Sequence, residues 1–246
     1  IKDNIIMNEH RWNTQEFIDR TAKLSRTELH NLYPSEAWAL YRVLPKVSNV
    51  LDLGCGNGAM ASISNKISEK TNYTGVDHQK KLMESAKTLF PFANFYYSDL
   101  LEYLQKCKMY ECIMSWSVIK SFSNWREIIK EIVNKSSKKV IFDLRVANID
   151  EEIFDENICW AEYGNIKGAH ILTNYSELKN TIKSLSCSIA KAELVAYKSD
   201  YGKNVHFNIK KPDFFLVCCV LDIKKSEDKN ANDIEFYEQI PSQLNR

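Results

Sequence analysis

Apolar and polar positions follow two alternating rhythms along the middle of this chain. Short apolar runs with strand character fall at Val47–Leu53, Tyr73–Asp77, Asn94–Ser98, Glu111–Trp116 and Lys139–Arg145. Between them the apolar residues recur every three or four positions. This happens at Ala59–Ser68, at Lys80–Phe90 through Leu82, Ala86 and Leu89, and at Trp125–Val133 through Trp125, Ile128, Ile129 and Ile132. Asn124 and Glu127 are spaced to cap the last of these helices. Strand and helix in strict alternation predict a parallel sheet covered by helices on both faces. The run at 139–145 is apolar at its centre, as an internal strand is.

The two ends depart from this rhythm. Residues 11–44 read as helical: Asn13 and Glu16 resemble a capping pair ahead of Phe17, Ile18, Ala22 and Leu24, and Pro34 through Leu44 form a second stretch. Residues 1–45 are therefore expected to be an N-terminal helical cap, and 46–224 the core. Residues 147–172, with Trp160, Tyr163, Gly164, Gly168 and His170, read as an insertion. A helix follows, with Leu178, Ile182 and Leu185 in register. Two long strands, Ser188–Lys198 and Asp213–Lys224, close the core. Their link, 199–212, exceeds the usual hairpin loop of roughly 2–5 residues. Residues 225–246 read as a polar tail.

Composition narrows the classes. Of 246 residues, 33 are Lys or Arg and 32 Asp or Glu, a net charge of +1 that gives no basic face for duplex nucleic acid. No apolar run approaches the roughly 18 residues that span a bilayer. Ile1–Glu9 lacks the apolar stretch of a secretion signal. Seven cysteines without a CxxC pair fit neither a disulfide framework nor a zinc ribbon. A cytoplasmic protein is expected.

The chemistry concentrates in Leu51-Asp52-Leu53-Gly54-Cys55-Gly56-Asn57-Gly58, where a strand ends in an acidic residue and three alternating glycines. Glycine lets backbone approach a nucleotide-like ligand closely. Gly54, Gly56 and Ala59 also satisfy the G-x-G-x-x-G/A pattern of dinucleotide sites, so a nicotinamide cofactor is one reading. Asp77 ends the second strand 19 positions after Gly58, where a carboxylate can accept both ribose hydroxyls.

The octapeptide resembles motif I of the class I S-adenosylmethionine (SAM)-dependent methyltransferases more closely, and the resemblance covers roughly residues 45–222. It implies a Rossmann-like α/β fold: a seven-stranded, mostly parallel sheet with the last strand antiparallel, helices on both faces and a helical cap in front. It implies SAM as cofactor and S-adenosylhomocysteine (SAH) as product. By the same resemblance Asp52, Gly54, Gly56 and Gly58 form the cradle and Asp77 holds the ribose. His78 lies against the adenine, Asp99 and the Leu100 backbone read its edge, and Ser115 and Trp116 begin the methionine and acceptor side.

The methyl acceptor is less legible. His170, Tyr33 and Lys120 are catalytic candidates, and His30, Trp125 and Tyr163 wall candidates, because they lie where this family builds its lid and acceptor pocket. Asp143 has no second and third ligand to make a metal site, so none is expected. The loop Ser115-Trp116-Ser117-Val118 lacks the Asn/Asp-Pro-Pro-Tyr/Phe of enzymes that methylate amino groups of nucleic-acid bases or glutamine. O- or N-methylation of a small molecule or a sugar-type (polysaccharide-precursor) acceptor is the leading expectation. RNA or protein methylation, an NAD-dependent oxidoreductase and a non-catalytic SAM-binding module are the alternatives.

Overall fold

The apolar run ahead of the glycine loop lies inside an eight-stranded sheet in the computed structural model, which describes residues 15–23, 25–163, 166–224 and 233–244. Asn13, Leu24, Gly164 and the segments 1–14 and 225–232 lie outside the described residues. The strands are β1 (Asn49–Leu53), β2 (Asn72–Asp77), β3 (Asn94–Tyr97), β4 (Tyr110–Ser115), β5 (Ser136–Ala147), β8 (Ile189–Lys198), β10 (Phe214–Ile223) and β11 (Glu235–Gln239). Their order across the sheet is β11-β8-β10-β5-β4-β1-β2-β3. Strand β10 runs antiparallel to both its neighbours, and the other pairings are parallel. The order reverses between β1 and β4. At such a switch point a crevice opens beyond the carboxyl ends of the strands.

Alternation along the strands sends side chains to two cores. Leu51 and Leu53 join Ile113, Val140 and Phe142 on one face, under Trp125, Ile128, Ile129 and Ile132 of α6 (Trp125–Asn134) and Leu178 and Ile182 of α7 (Tyr175–Ser184). Val50 joins Cys112, Met114, Ile141 and Cys218 on the other. Leu40 and Val43 of α2 (Pro34–Val43), Ile63 of α3 (Ala59–Ile67), and Leu82 and Met83 of α4 (Lys80–Leu89) cover that face.

Several elements differ from the sequence expectation. The helical stretch 11–44 is broken: α1 (Gln15–Lys23) is separated from α2 by a segment with a 3-10 turn at Leu29–Asn31. Tyr33 caps the start of α2, where its N–H donates to Glu36 Oε2 at 2.9 Å. Asn124 precedes α6 but its side chain makes no cap hydrogen bond. The insertion and the 199–212 link, far apart in sequence, pair with each other. Strands β7 (Ile166–Ala169), β6 (Cys159–Tyr163) and β9 (Val205–Phe207) form a second, three-stranded sheet. The expected polar tail contributes β11, an eighth strand against β8, and buries Leu244.

Candidate active site

The glycine loop is built by its backbone. Gly54, Gly56 and Gly58 have φ of 74°, 56° and 77°, the left-handed region that other residues avoid. The N–H groups of Gly54 and Cys55 donate to Val76 O, tying the loop to β2. A Cβ on Gly54 would stand 2.3 Å from Val118 Cγ2, and one on Gly58 2.5 Å from Phe95 Cε1. The loop thus closes against the turn after β4 on one side and β3 on the other.

Asp77 is the second fastening. Its Oδ2 accepts from Gly56 N at 2.9 Å and its Oδ1 from Gln79 N at 3.0 Å. Burial pushes its carboxyl above the usual range, and His78, with Nδ1 at 3.5 Å, opposes that. At the end of β3, Asp99 Oδ1 caps α5 (Leu100–Lys106), accepting from Leu101 N at 2.8 Å and Glu102 N at 3.0 Å. Both bonds use one oxygen, so the cap and a ligand contact through the other oxygen are compatible.

Asp52 is almost completely buried beside this loop. Tyr73 Oη donates to its Oδ2, while Oδ1 has no hydrogen-bond partner. Burial raises its carboxyl to about 7. Burial also pushes the Cys55 thiol well up, which removes it as a nucleophile at neutral pH.

These groups share a cavity of about 380 Å³ at the switch point. Its wall contains Asp52, Gly54, Gly56, Asp77, His78, Asp99, Leu100 and Trp116, all expected from sequence. Gly58 and Ser115 stand behind it. Gly58 starts α3 against Phe95, and Ser115 Oγ turns back to donate to Leu53 O.

Of the catalytic candidates, Lys120 alone reaches the cavity wall. His170 is buried elsewhere, its Nδ1 at 3.0 Å from Ile171 O. Tyr33 is 56% exposed, and its ring lies under the Arg26 guanidinium at 4.2 Å. His30 is exposed, and Trp125 is core, its Nε1 donating to Glu152. Tyr163 ends β6, and its side chain lies outside the described residues.

The far wall is formed by Arg20, Thr21, Ser25 and Arg26 from the N-terminal region and by Ser117, Ser121 and Phe122 after β4; apart from Ser117, in the loop after the fourth strand, no motif in the sequence marks them. Thr21 lies over Gly56, and Arg20 Nη2 reaches Asn204 Oδ1 at 3.1 Å, joining α1 to the loop before β9. Ser117 has φ of 59°. Its N–H and Oγ both donate to Asp143, the second at 3.2 Å. An acidic residue inside an apolar strand was the available signal for this contact.

A family profile described as a methyltransferase domain matches residues 50–136, from β1 to the start of β5. Over that segment the chain is similar to methyltransferase domains. A search of curated protein sequences finds no match. Solved structures share the fold at low identity. The plantazolicin methyltransferase BpumL with SAH is 14% identical at a TM-score of 0.59, over 89% of this chain and 94% of its own. The N-terminal domain of EvdMO1 with SAH bound is 10% identical at 0.56, over 85% and 97%. A TehB-like SAM-dependent methyltransferase from Corynebacterium glutamicum is 16% identical at 0.52, over 85% and 97%. No helix among the described residues is long and apolar enough to cross a membrane.

Proposed function

We propose that the protein transfers the methyl group of SAM to a small-molecule acceptor, of the sugar or related natural-product class, at oxygen or nitrogen. The observation that carries the choice of donor is Asp52. A dinucleotide lays its pyrophosphate on the glycine loop, and here that loop adjoins a buried carboxylate with one unpartnered oxygen. A carboxylate so placed repels phosphate and favours a cation. The ammonium of an amino-acid moiety supplies the missing hydrogen bond; nicotinamide dinucleotides have no such group in their pyrophosphate.

Each residue then has a task. Asp77 is held by the loop it fastens and faces the ribose hydroxyls. Asp99 offers its second oxygen to the adenine amino group, and His78 covers the ring. When bound, SAM supplies an activated methyl group on a sulfonium, and the protein contributes alignment and electrostatics. A hydroxyl or ammonium acceptor must also release a proton. The Ser117 hydroxyl, backed by the buried Asp143 carboxylate, offers it a path from the cavity wall. The small-molecule class is supported by enclosure beneath α1 and by near-neutral net charge. Relatives of similar fold include the plantazolicin methyltransferase and an O-methyltransferase of a trans-AT polyketide synthase from Brevibacillus brevis.

Incubation with methyl-labelled SAM and a panel of sugars and small natural products tests this directly. Label is expected in an acceptor, with equimolar SAH. Label transferred only to RNA or protein overturns the acceptor class.

A further inference from the structure

Charge is unevenly distributed around the cavity. The carboxylates in its wall, Asp52, Asp77 and Asp99, surround the glycine loop and the ends of β2 and β3. The wall contributed by α1, the segment after it and the turn after β4 carries Arg20, Arg26 and Lys120 and no carboxylate. Glu36 and Asp143 lie behind this wall and are already engaged, Glu36 by Arg26 and Tyr33 N, Asp143 by Ser117.

Arg26 is the centre of this wall. Its Nη2 donates to Glu36 Oε1 at 2.6 Å and its guanidinium stacks on Tyr33, so its orientation is fixed from two sides. Its Nη1 is shielded from solvent and has no hydrogen-bond partner. A guanidinium nitrogen left without an acceptor in a desolvated place is costly. A pre-oriented guanidinium suits planar carboxylate and phosphate groups.

We infer that the acceptor carries an anionic group, a carboxylate or a phosphate, which Arg26 binds through Nη1 with Lys120 and Arg20 adding positive potential around it. This rests on the proposed donor site and adds the acceptor's charge. The enclosed position favours a small anionic metabolite over a nucleic-acid backbone, which is met by an open basic face.

The test is calorimetric titration of inorganic phosphate and of succinate, at constant ionic strength set with chloride, into SAH-free and SAH-loaded protein. At least one of the two anions is expected to bind the SAH-loaded form. Preference between them separates a phosphorylated from a carboxylated acceptor. Arg26→Gln and Lys120→Met should each weaken that binding at least tenfold, and SAH titration of each variant reports whether it is folded. Three results overturn the inference: no anion binding beyond chloride, binding unchanged in both variants, or binding to the SAH-free form alone. The last assigns Arg26 to the amino-acid carboxylate of SAH. Failure of SAH to bind refutes the donor reading instead, and the anion titrations of the free protein and its variants still decide the present one.

Discussion

The two ends of the cavity are built differently. The donor end comes from the carboxyl ends of β1, β2 and β3, and its groups are fixed by short-range backbone bonds: Gly54 to Val76, Gly56 to Asp77, Asp99 to its own helix. The proposed acceptor end is assembled from segments distant in sequence, with Arg20 of its wall bonded to Asn204, 184 residues away. Rigid, local geometry suits a cofactor that must be placed the same way every time. Long-range contacts through loops and a small second sheet are where acceptor specificity can vary without disturbing the donor site.

The contrast predicts a graded set of effects. The largest follows substitution of the loop itself. Gly54→Ala places a Cβ in Val118 at a positive φ, and strain with overpacking together should cost about 2–5 kcal/mol. Thermal unfolding and SAH titration should both show it, and a variant that binds SAH as wild type does would show the loop to be looser than its geometry. Next comes Asp77→Ala, which removes the acceptor for two backbone N–H groups and, on the proposed placement, for the ribose. A loss of about 1–3 kcal/mol in SAH binding is expected by calorimetry.

Asp52 makes the donor end sensitive to pH. Its folded pKa of about 7 lies above the ordinary carboxylate value, so between roughly pH 4 and 7 the unfolded chain holds fewer protons than the folded one. Its contribution to stability is therefore full in acid and lost as pH rises through about 7. On the proposed placement ligand binding runs the opposite way, because the ammonium of SAH would bind the ionised carboxylate. SAH affinity should fall by up to about tenfold from pH 8 to pH 6, one pKa unit below the midpoint. Asp52→Asn should flatten that profile and weaken binding at pH 8. An identical pH profile in the variant would remove Asp52 from the site. The smallest effect belongs to the other end. Arg20→Ala, which loses one exposed hydrogen bond to Asn204, should change SAH affinity by less than about 1 kcal/mol.

The same division governs what could be read from the sequence. Helix α3 was expected at Ala59–Ser68 and lies at Ala59–Ile67, and β1 and β2 end where expected, because each is set by a contiguous apolar pattern and local turn chemistry. Asp77 and Asp99 were legible as acidic residues closing strands. Strands β6 and β9 were not, since their pairing depends on segments on either side of α7 and β8, and neither run is apolar enough to declare itself. Strand β11 alternates Phe236 and Glu238 among polar neighbours and reads as a tail until the edge of β8 is there to receive it. Ser115 and Trp116 were both expected in the cofactor wall. Ser115 is the last residue of β4 and its hydroxyl is held by Leu53 O, while Trp116 follows in the bend and reaches the cavity. Residue type and neighbourhood point to His170 and Tyr33, but the fold uses them for a buried backbone contact and a helix entry.

The most direct measurement is a pair of calorimetric titrations of the purified protein, with SAH and with NAD, at pH 8. One SAH per chain, with no heat of binding from NAD, is the predicted result. Saturable NAD binding in a protein that ignores SAH would contradict it.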